Sequence, residues 1–240
     1  MTTDNKQIKA YDSADDMFSS CAREVNAYIK DCIAKRGQCS IVLAGGSTPE
    51  KLYQNMSAPP SAEQPDWSHC QFYFGDERWV PHDHADSNFA MAKRVLFGHI
   101  QVPEDNIHPI PTHCQAADEC AADYETSIQH IDEFDLILLG IGTDGHTASL
   151  FPDTTILGVT DKRVAAVFVD KLDTWRISLT YQSLNRARRV IVLIQGQSKA
   201  AIIKQIMKTD TEQQLPVSRL APSGELIWCL DQAALSLTED

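Results

Sequence analysis

Residues Phe134–Pro152 read F-D-L-I-L-L-G-I-G-T-D-G-H-T-A-S-L-F-P. The apolar run Leu136–Leu139 ends in Gly140, Gly142 and Gly145, and the turn these glycines make carries Asp144 and His146. A buried strand that stops in glycines lets the backbone approach a ligand closely. His146 just beyond the turn puts the side chain that titrates nearest neutral pH at the C-terminal edge of a sheet. Open α/β sheets bind their ligands at that edge. The stretch therefore predicts both a fold class and a candidate base.

Two nucleotide-binding patterns overlap it. Gly140-x-Gly142-x-x-Gly145 satisfies the dinucleotide fingerprint, with Asp170 at about the distance of a ribose-binding acid. Against it, Asp144 sets a carboxylate where a pyrophosphate should lie, and Pro152 stops the following helix after little more than a turn. Gly140-x-x-x-x-Gly145-His146-Thr147 is one residue from a P-loop. Histidine replaces its lysine, and a neutral imidazole does not substitute for that charge.

Outward from this stretch, strand-like and helical runs alternate. Strands are predicted at Cys39–Ala44, Cys70–Phe74, Leu136–Leu139, Val164–Val169, Arg176–Thr180, Val190–Ile194 and Leu226–Leu230. Helices are predicted at Met17–Ile33 with Gly37 as stop, at Ser47–Met56, Asn88–Phe97, Ala116–Ile131 and Ser198–Met207, and a Pro- and Ser-rich loop lies near Ala58–Asp66. The alternation predicts an α/β fold: a mostly parallel sheet with helices on both faces, in one domain over residues 1–240.

With 240 residues, 43% hydrophobic and 22% charged, the chain can bury a large core. No apolar run approaches the ~20 residues that span a bilayer, and Met1-Thr-Thr-Asp-Asn-Lys6 has no signal-peptide pattern. A cytoplasmic protein is expected, monomeric or a weak homodimer. The seven scattered cysteines, with no Cys-x-x-Cys spacing, read as reduced thiols. A net charge of −12 repels nucleic acid and anionic membrane, so neither is an expected partner. An anionic small substrate would need local cations and backbone N–H donors to draw it in.

Such groups recur beside glycine turns. In Leu43–Glu50 (L-A-G-G-S-T-P-E), Gly45 and Gly46 lead into Ser47 as a helix cap, with Pro49 in the first turn. Free N–H groups there form an anion site without a charged residue; otherwise this is an ordinary strand-to-helix turn. In Phe74–Pro81 (F-G-D-E-R-W-V-P), Arg78 can grip a phosphate with two parallel hydrogen bonds. The alternative for Asp76, Glu77 and Arg78 is a weak surface ion pair. In Gln195–Lys199 (Q-G-Q-S-K), Lys199 opposes the helix dipole unless an anion sits there. The loop His82-Asp83-His84-Ala85-Asp86 lacks further ligands spaced to complete a metal site. Nucleophilic catalysis has no Gly-x-Ser-x-Gly elbow to support it.

Taken in order, Leu43–Glu50, Phe74–Pro81 with Ser87-Asn88, Gly140–Pro152, Arg176–Thr180, Gly196–Lys199 and Trp228–Asp231 resemble the glucosamine-6-phosphate isomerase/6-phosphogluconolactonase family, in its lactonase branch. The resemblance runs from about Leu43 to the C-terminus. It departs at Lys171-Leu-Asp-Thr-Trp175, which replaces a proline-rich lead, and at Cys229, where an aromatic is common. It implies a Rossmann-like fold and hydrolysis of 6-phospho-D-glucono-1,5-lactone in the oxidative pentose phosphate pathway, with no metal or organic cofactor. His146 would activate water, Asp144 or Asp76 would orient it or the sugar, and Gly45, Gly46, Ser47, Arg78 and Lys199 would hold the phosphate, with Arg176 as a further candidate. In the deaminase branch a glutamate used for ring opening stands where this chain has Phe151, and a tyrosine is usual at Arg78. A non-catalytic sugar-phosphate sensor would carry a helix-turn-helix segment, and the N-terminal addition here reads as one amphipathic helix.

Overall fold

A computed structural model describes residues 6–58, 64–208 and 215–238. The segment read for a signal peptide, up to Asn5, and residues 59–63 of the loop near Ala58–Asp66 lie outside the described residues. In chain order the elements are β1 (Lys6–Tyr11), α1 (Ala14–Arg36), β2 (Cys39–Leu43), α2 (Ser47–Ser57), β3 (Cys70–Phe74), β4 (Asp76–Arg78), α3 (Asn88–Ala92), α4 (Ala117–Ile128), β5 (Leu136–Gly140), β6 (Val164–Val169), β7 (Thr174–Leu179), α5 (Tyr181–Leu184), β8 (Arg189–Ile194), α6 (Ala200–Met207), β9 (Glu225–Asp231) and α7 (Gln232–Leu235). A single π-helical turn, Lys93–Phe97, extends α3.

Six strands form one sheet in the order β1-β9-β8-β5-β2-β3, and every neighbouring pair is parallel. Leu136, Ile137, Leu138 and Leu139 of β5 are all fully buried, although alternate residues point to opposite faces. A strand apolar on both sides needs cover on both sides, which is why it reads as a continuous run. Helix α2 packs on β5 itself, and α1 covers the flanking β2 and β9 through its buried face of Met17, Phe18, Cys21, Val25, Ile29 and Cys32. The ends of α1 are set locally. The Ser13 hydroxyl accepts from the Asp16 N–H, and Gly37, at φ 80°, donates its N–H to the Ile33 carbonyl.

Three expectations need correction. Val164–Val169 and Arg176–Thr180 do not join the parallel sheet; as β6 and β7 they form, with β4, a separate antiparallel sheet ordered β4-β7-β6. Strands joined by the tight Asp170–Asp173 turn can only pair antiparallel, and Asp173 takes the left-handed conformation at φ 48°. No helix follows Gly145, where a short one was expected before Pro152. The Gly142 N–H instead donates back to the His146 carbonyl and closes a compact loop, so the dinucleotide reading loses the helix it requires. Cys114 and Cys120 form a disulfide with Cα atoms 5.5 Å apart, whereas Cys21, Cys32, Cys39, Cys70 and Cys229 are free and buried. The chain folds back as it enters α4, which brings the two sulfurs within bonding range.

Two strands had no sequence signal. β1 is an edge strand with Ile8 half exposed, and β4 has only three residues. Among the described residues no helix is long and apolar enough to cross a membrane.

Candidate active site

β5 and β2 are neighbours in the sheet, yet their outgoing connections run in opposite directions: β2 leads to β3 on one side, β5 eventually to β8 on the other. Loops that diverge from adjacent strands leave a crevice beyond their C-terminal ends, the position where open parallel sheets bind ligands. A cavity of about 750 Å³ opens there. Gly45, Gly46, Ser47, Asp76, Arg78, Asp144, His146, Arg176 and Lys199, every site residue expected from the sequence, line it.

Backbone constraints shape its walls. At the end of β2 the buried Tyr53 hydroxyl accepts from the Ala44 N–H and donates to the Ala44 carbonyl, locking the approach to Gly45. A Cβ on Gly45 would lie 1.8 Å from Asn88 Oδ1. A Cβ on Gly142 would lie 2.0 Å from His146 Nδ1 and 2.6 Å from Asp144 Oδ1. Those two glycines are there for space. Gly46 instead adopts φ 98° and is itself the N-cap of α2, with no side-chain cap bond. Ser47 is therefore the first helical residue and not the cap expected, so the early N–H groups of α2 remain available on the cavity side.

His146 is held on several sides. Its Nδ1 lies 2.5 Å from Asp144 Oδ1, and its ring stacks on Phe151 with centroids 4.0 Å apart. The other Asp144 oxygen takes a hydrogen bond from Lys171, whose ammonium also sits 4.5 Å from the Phe151 ring centroid. Burial would raise the Asp144 carboxyl, but the bonds from Lys171 and His146 outweigh it and hold the group down at about 2. Burial also pushes the His146 imidazole below its usual value; Asp144 and Asp76 oppose that, while Lys171 adds to it. At neutral pH the pair is therefore a carboxylate and a neutral imidazole. Nδ1–H donates to Asp144, and Nε2 keeps its lone pair.

Asp76 has a different role in the geometry. Its carboxylate accepts from Ser149 Oγ at 2.7 Å and from Asn88 Nδ2 at 3.2 Å, and it is 6% exposed. Of the two candidates, Asp144 is the one that touches the histidine. Glu77, expected to form at most a surface ion pair with Arg78, is buried and accepts the backbone N–H groups of Arg78, Asn88 and Phe89 and the Ser87 hydroxyl. It anchors the start of α3 and leaves the Arg78 side chain unpaired by carboxylate. That guanidinium donates to the Asp86 carbonyl, while its buried Nε has no partner.

Arg176 stands directly across from Arg78 in the β4–β7 register, and its buried Nε is also unpartnered. Burial makes the Arg176 charge harder to keep, with Asp76 opposing. Lys199 ends the short turn Gln197–Lys199 ahead of α6 and is likewise disfavoured by burial. The turn itself is tied down by Asp231, whose carboxylate accepts the Gly196 N–H at 2.9 Å.

Sequence reasoning did not assign to the site Asn88, Phe151 or Lys171, which line the cavity, or Ser149 and Asp231, which bond to Asp76 and Gly196 in its wall. Phe151, just before Pro152 in the same motif as the histidine, and Asp231, closing an apolar strand, carried the available signals. The His82–Asp86 loop is structural: His82 Nε2 lies 2.8 Å from the Ile110 carbonyl and its ring meets Phe89. Among the described residues no group of histidine, cysteine and carboxylate side chains is placed to hold a metal ion.

Residues 12–228 match the family model described as glucosamine-6-phosphate isomerases/6-phosphogluconolactonase. The chain belongs to this family. Within it, the chain is 40% identical over 219 residues to a 6-phosphogluconolactonase of Synechocystis, covering 88% of this chain and 89% of that protein. To the human 6-phosphogluconolactonase it is 34% identical, with 92% of each chain covered. The solved structure of 6-phosphogluconolactonase from Trypanosoma brucei superposes with a TM-score of 0.85 at 28% identity, over 96% of this chain and 98% of that one. A monomeric glucosamine-6-phosphate deaminase at 20% identity and TM-score 0.84, covering 96% of this chain and 99% of that one, shares the fold. The family spans both chemistries, and the relatives at 40% and 34% identity over most of the chain put this protein among the lactone hydrolases.

Proposed function

We propose that this protein hydrolyses 6-phospho-D-glucono-1,5-lactone to 6-phospho-D-gluconate in the pentose phosphate pathway, with His146 as general base. The observation that carries the reading is one cavity holding a neutral, carboxylate-oriented imidazole together with two opposed arginines whose Nε atoms lack partners. The first is poised to move a proton, the second to accept an anion. Placing the phosphate near Arg78, Arg176 and Lys199 leaves the lactone ring to reach His146.

His146 Nε2 takes a proton from water as the oxygen attacks the lactone carbonyl carbon. The negative charge that builds on the carbonyl oxygen is met by N–H donors of the glycine turns. The tetrahedral intermediate collapses by breaking the bond to the ring oxygen, which receives the proton back from the imidazolium. The carboxylic acid released then ionises. Asp144 stabilises the imidazolium and fixes its tautomer throughout; Asp76, held by Ser149 and Asn88, faces the sugar hydroxyls. A δ-lactone is already an activated acyl group, so a positioned base supplying roughly 10²–10⁴-fold is a sufficient protein contribution. A deaminating isomerisation needs a further acid or base beside the histidine, and Phe151 occupies that side of the ring.

The test is lactone disappearance above the spontaneous rate, with and without chelator, alongside glucosamine-6-phosphate as competing substrate. His146→Ala should lower kcat at least a hundredfold while the circular dichroism spectrum is unchanged. Undiminished activity in that variant, or turnover of the amino sugar by the wild type, would overturn the reading.

A further inference from the structure

The β6–β7 hairpin is an addition to the parallel sheet, and its tip reaches back over the cavity. Lys171 and Leu172, both in the Asp170–Leu172 turn, line it. The Lys171 side chain is 51% exposed, yet its ammonium meets two groups that each hold His146: the outer oxygen of Asp144 and the face of Phe151. An exposed ion pair of this kind adds little to the stability of a fold. Its consequence lies in what it constrains. Asp144 Oδ1 already accepts from the His146 N–H and faces its Nδ1, and Phe151 is buried; Lys171 adds the hold on the second carboxylate oxygen and closes over the Phe151 ring.

We propose that Lys171 is a positioning residue for the hydrolysis: from the hairpin tip it fixes Asp144 and Phe151, and through them the orientation of the His146 ring. This rests on His146 being the base. The geometry makes Lys171 distinct from the phosphate-binding cations. Its charge is already spent on Asp144, whereas the Nε atoms of Arg78 and Arg176 are unpaired.

The electrostatics provide an independent readout. His146 is faced by Asp144 on its own loop, by Asp76 from β4 and by Lys171 from the hairpin, with Lys199 facing Asp144 and Arg176 facing Asp76. Lys171 disfavours the imidazolium directly, and it also draws on the Asp144 charge that would favour it. Removing the ammonium therefore raises the pH at which His146 protonates. Since the base must be neutral, the acid limb of kcat/KM moves to higher pH.

Lys171→Met and Lys171→Arg should be compared with the wild type on 6-phosphogluconolactone and on unphosphorylated glucono-1,5-lactone, with full pH profiles and melting curves. The expected result for Lys171→Met is a fall in kcat of about tenfold on both substrates, KM nearly unchanged, an acid limb displaced upward, and an unaltered melting temperature. Lys171→Arg should restore most of the rate and return the limb. A rise in KM confined to the phosphorylated lactone would make Lys171 a phosphate ligand and overturn the proposal. An unmoved acid limb with unchanged kcat would overturn it too. If Lys171→Met is silent while His146→Ala is inactive, the positioning role alone fails; if His146→Ala is active, the general-base reading fails first.

Discussion

A neutral imidazole is useful only if its second nitrogen is aimed, and at this site the aim depends on the absence of one carbon atom. The space a Cβ on Gly142 would occupy is filled by His146 Nδ1 and Asp144 Oδ1. Gly142→Ala must therefore displace the ring, the carboxylate or the loop. We expect kcat to fall about a hundredfold, since misplacing a reacting group by an ångström costs on that order. Stability should fall by about 1–3 kcal/mol, the usual range for overpacking. Steady-state kinetics beside a chemical denaturation curve would separate the two effects, and a near-normal kcat would show that the loop yields without moving the histidine. At this scale much was legible. Glycine, aspartate and histidine in that spacing announce a turn with a base on it, because glycine is the residue that admits close approach. That Asp144 and not Asp76 touches the ring was not legible. Both carboxylates reach the same cavity, and only side-chain geometry separates a partner of histidine from a partner of Ser149 and Asn88.

Strands and helices carry the second layer of the site, and here pairing matters more than identity. Arg78 reads from the sequence as a candidate phosphate grip and Arg176 as a further candidate, with nothing to say that they meet. The antiparallel register of β4 and β7 sets them opposite each other, where like charges repel unless an anion lies between them. On the proposed reading, these two candidate phosphate ligands act as one clamp. Arg176→Ala should raise KM for the phosphorylated lactone about 10- to 100-fold, the loss of a charge-assisted hydrogen bond. It should leave kcat and the turnover of unphosphorylated lactone within about threefold, and relief of the repulsion should keep the melting temperature at or above the wild-type value. Equal losses on both substrates would place the phosphate elsewhere. The clamp was not readable from the chain: nothing in V-A-A-V-F-V of β6 or T-W-R-I-S-L of β7 distinguishes a parallel neighbour from an antiparallel one, and β4 is too short to show a period. The helix ends were more transparent. Gly37 ends α1 as expected, since capping chemistry is local, and the Ser13 cap, which was not singled out, is equally local. Ser47 was read as a cap for the same reason, and lost that place because Gly46 takes the conformation itself.

The whole molecule carries a net charge of −12 and yet is built to admit a phosphorylated sugar. Its cations Arg78, Arg176 and Lys199 gather at one cavity, so binding the product should relieve partly buried positive charge and stabilise the native state. At a hundredfold excess over Kd, 6-phosphogluconate should add about 2.7 kcal/mol, or roughly 5–10 °C in Tm for a chain of this size. Gluconate at the same concentration should give much less, and added salt should diminish the effect. Differential scanning calorimetry checks this, and equal stabilisation by both acids would remove the phosphate from the account. The sequence by itself determined the class of fold and the chemical vocabulary of the site: the period of apolar residues, the glycine stops and the capping residues act over a few neighbours, and each could be read where it stands. Tertiary structure alone decided that two arginines oppose each other, that a hairpin tip brings Lys171 onto Asp144, and that Cys114 meets Cys120. Those contacts depend on strand register and loop path, which are set by packing the whole core at once and leave no periodic trace in the chain.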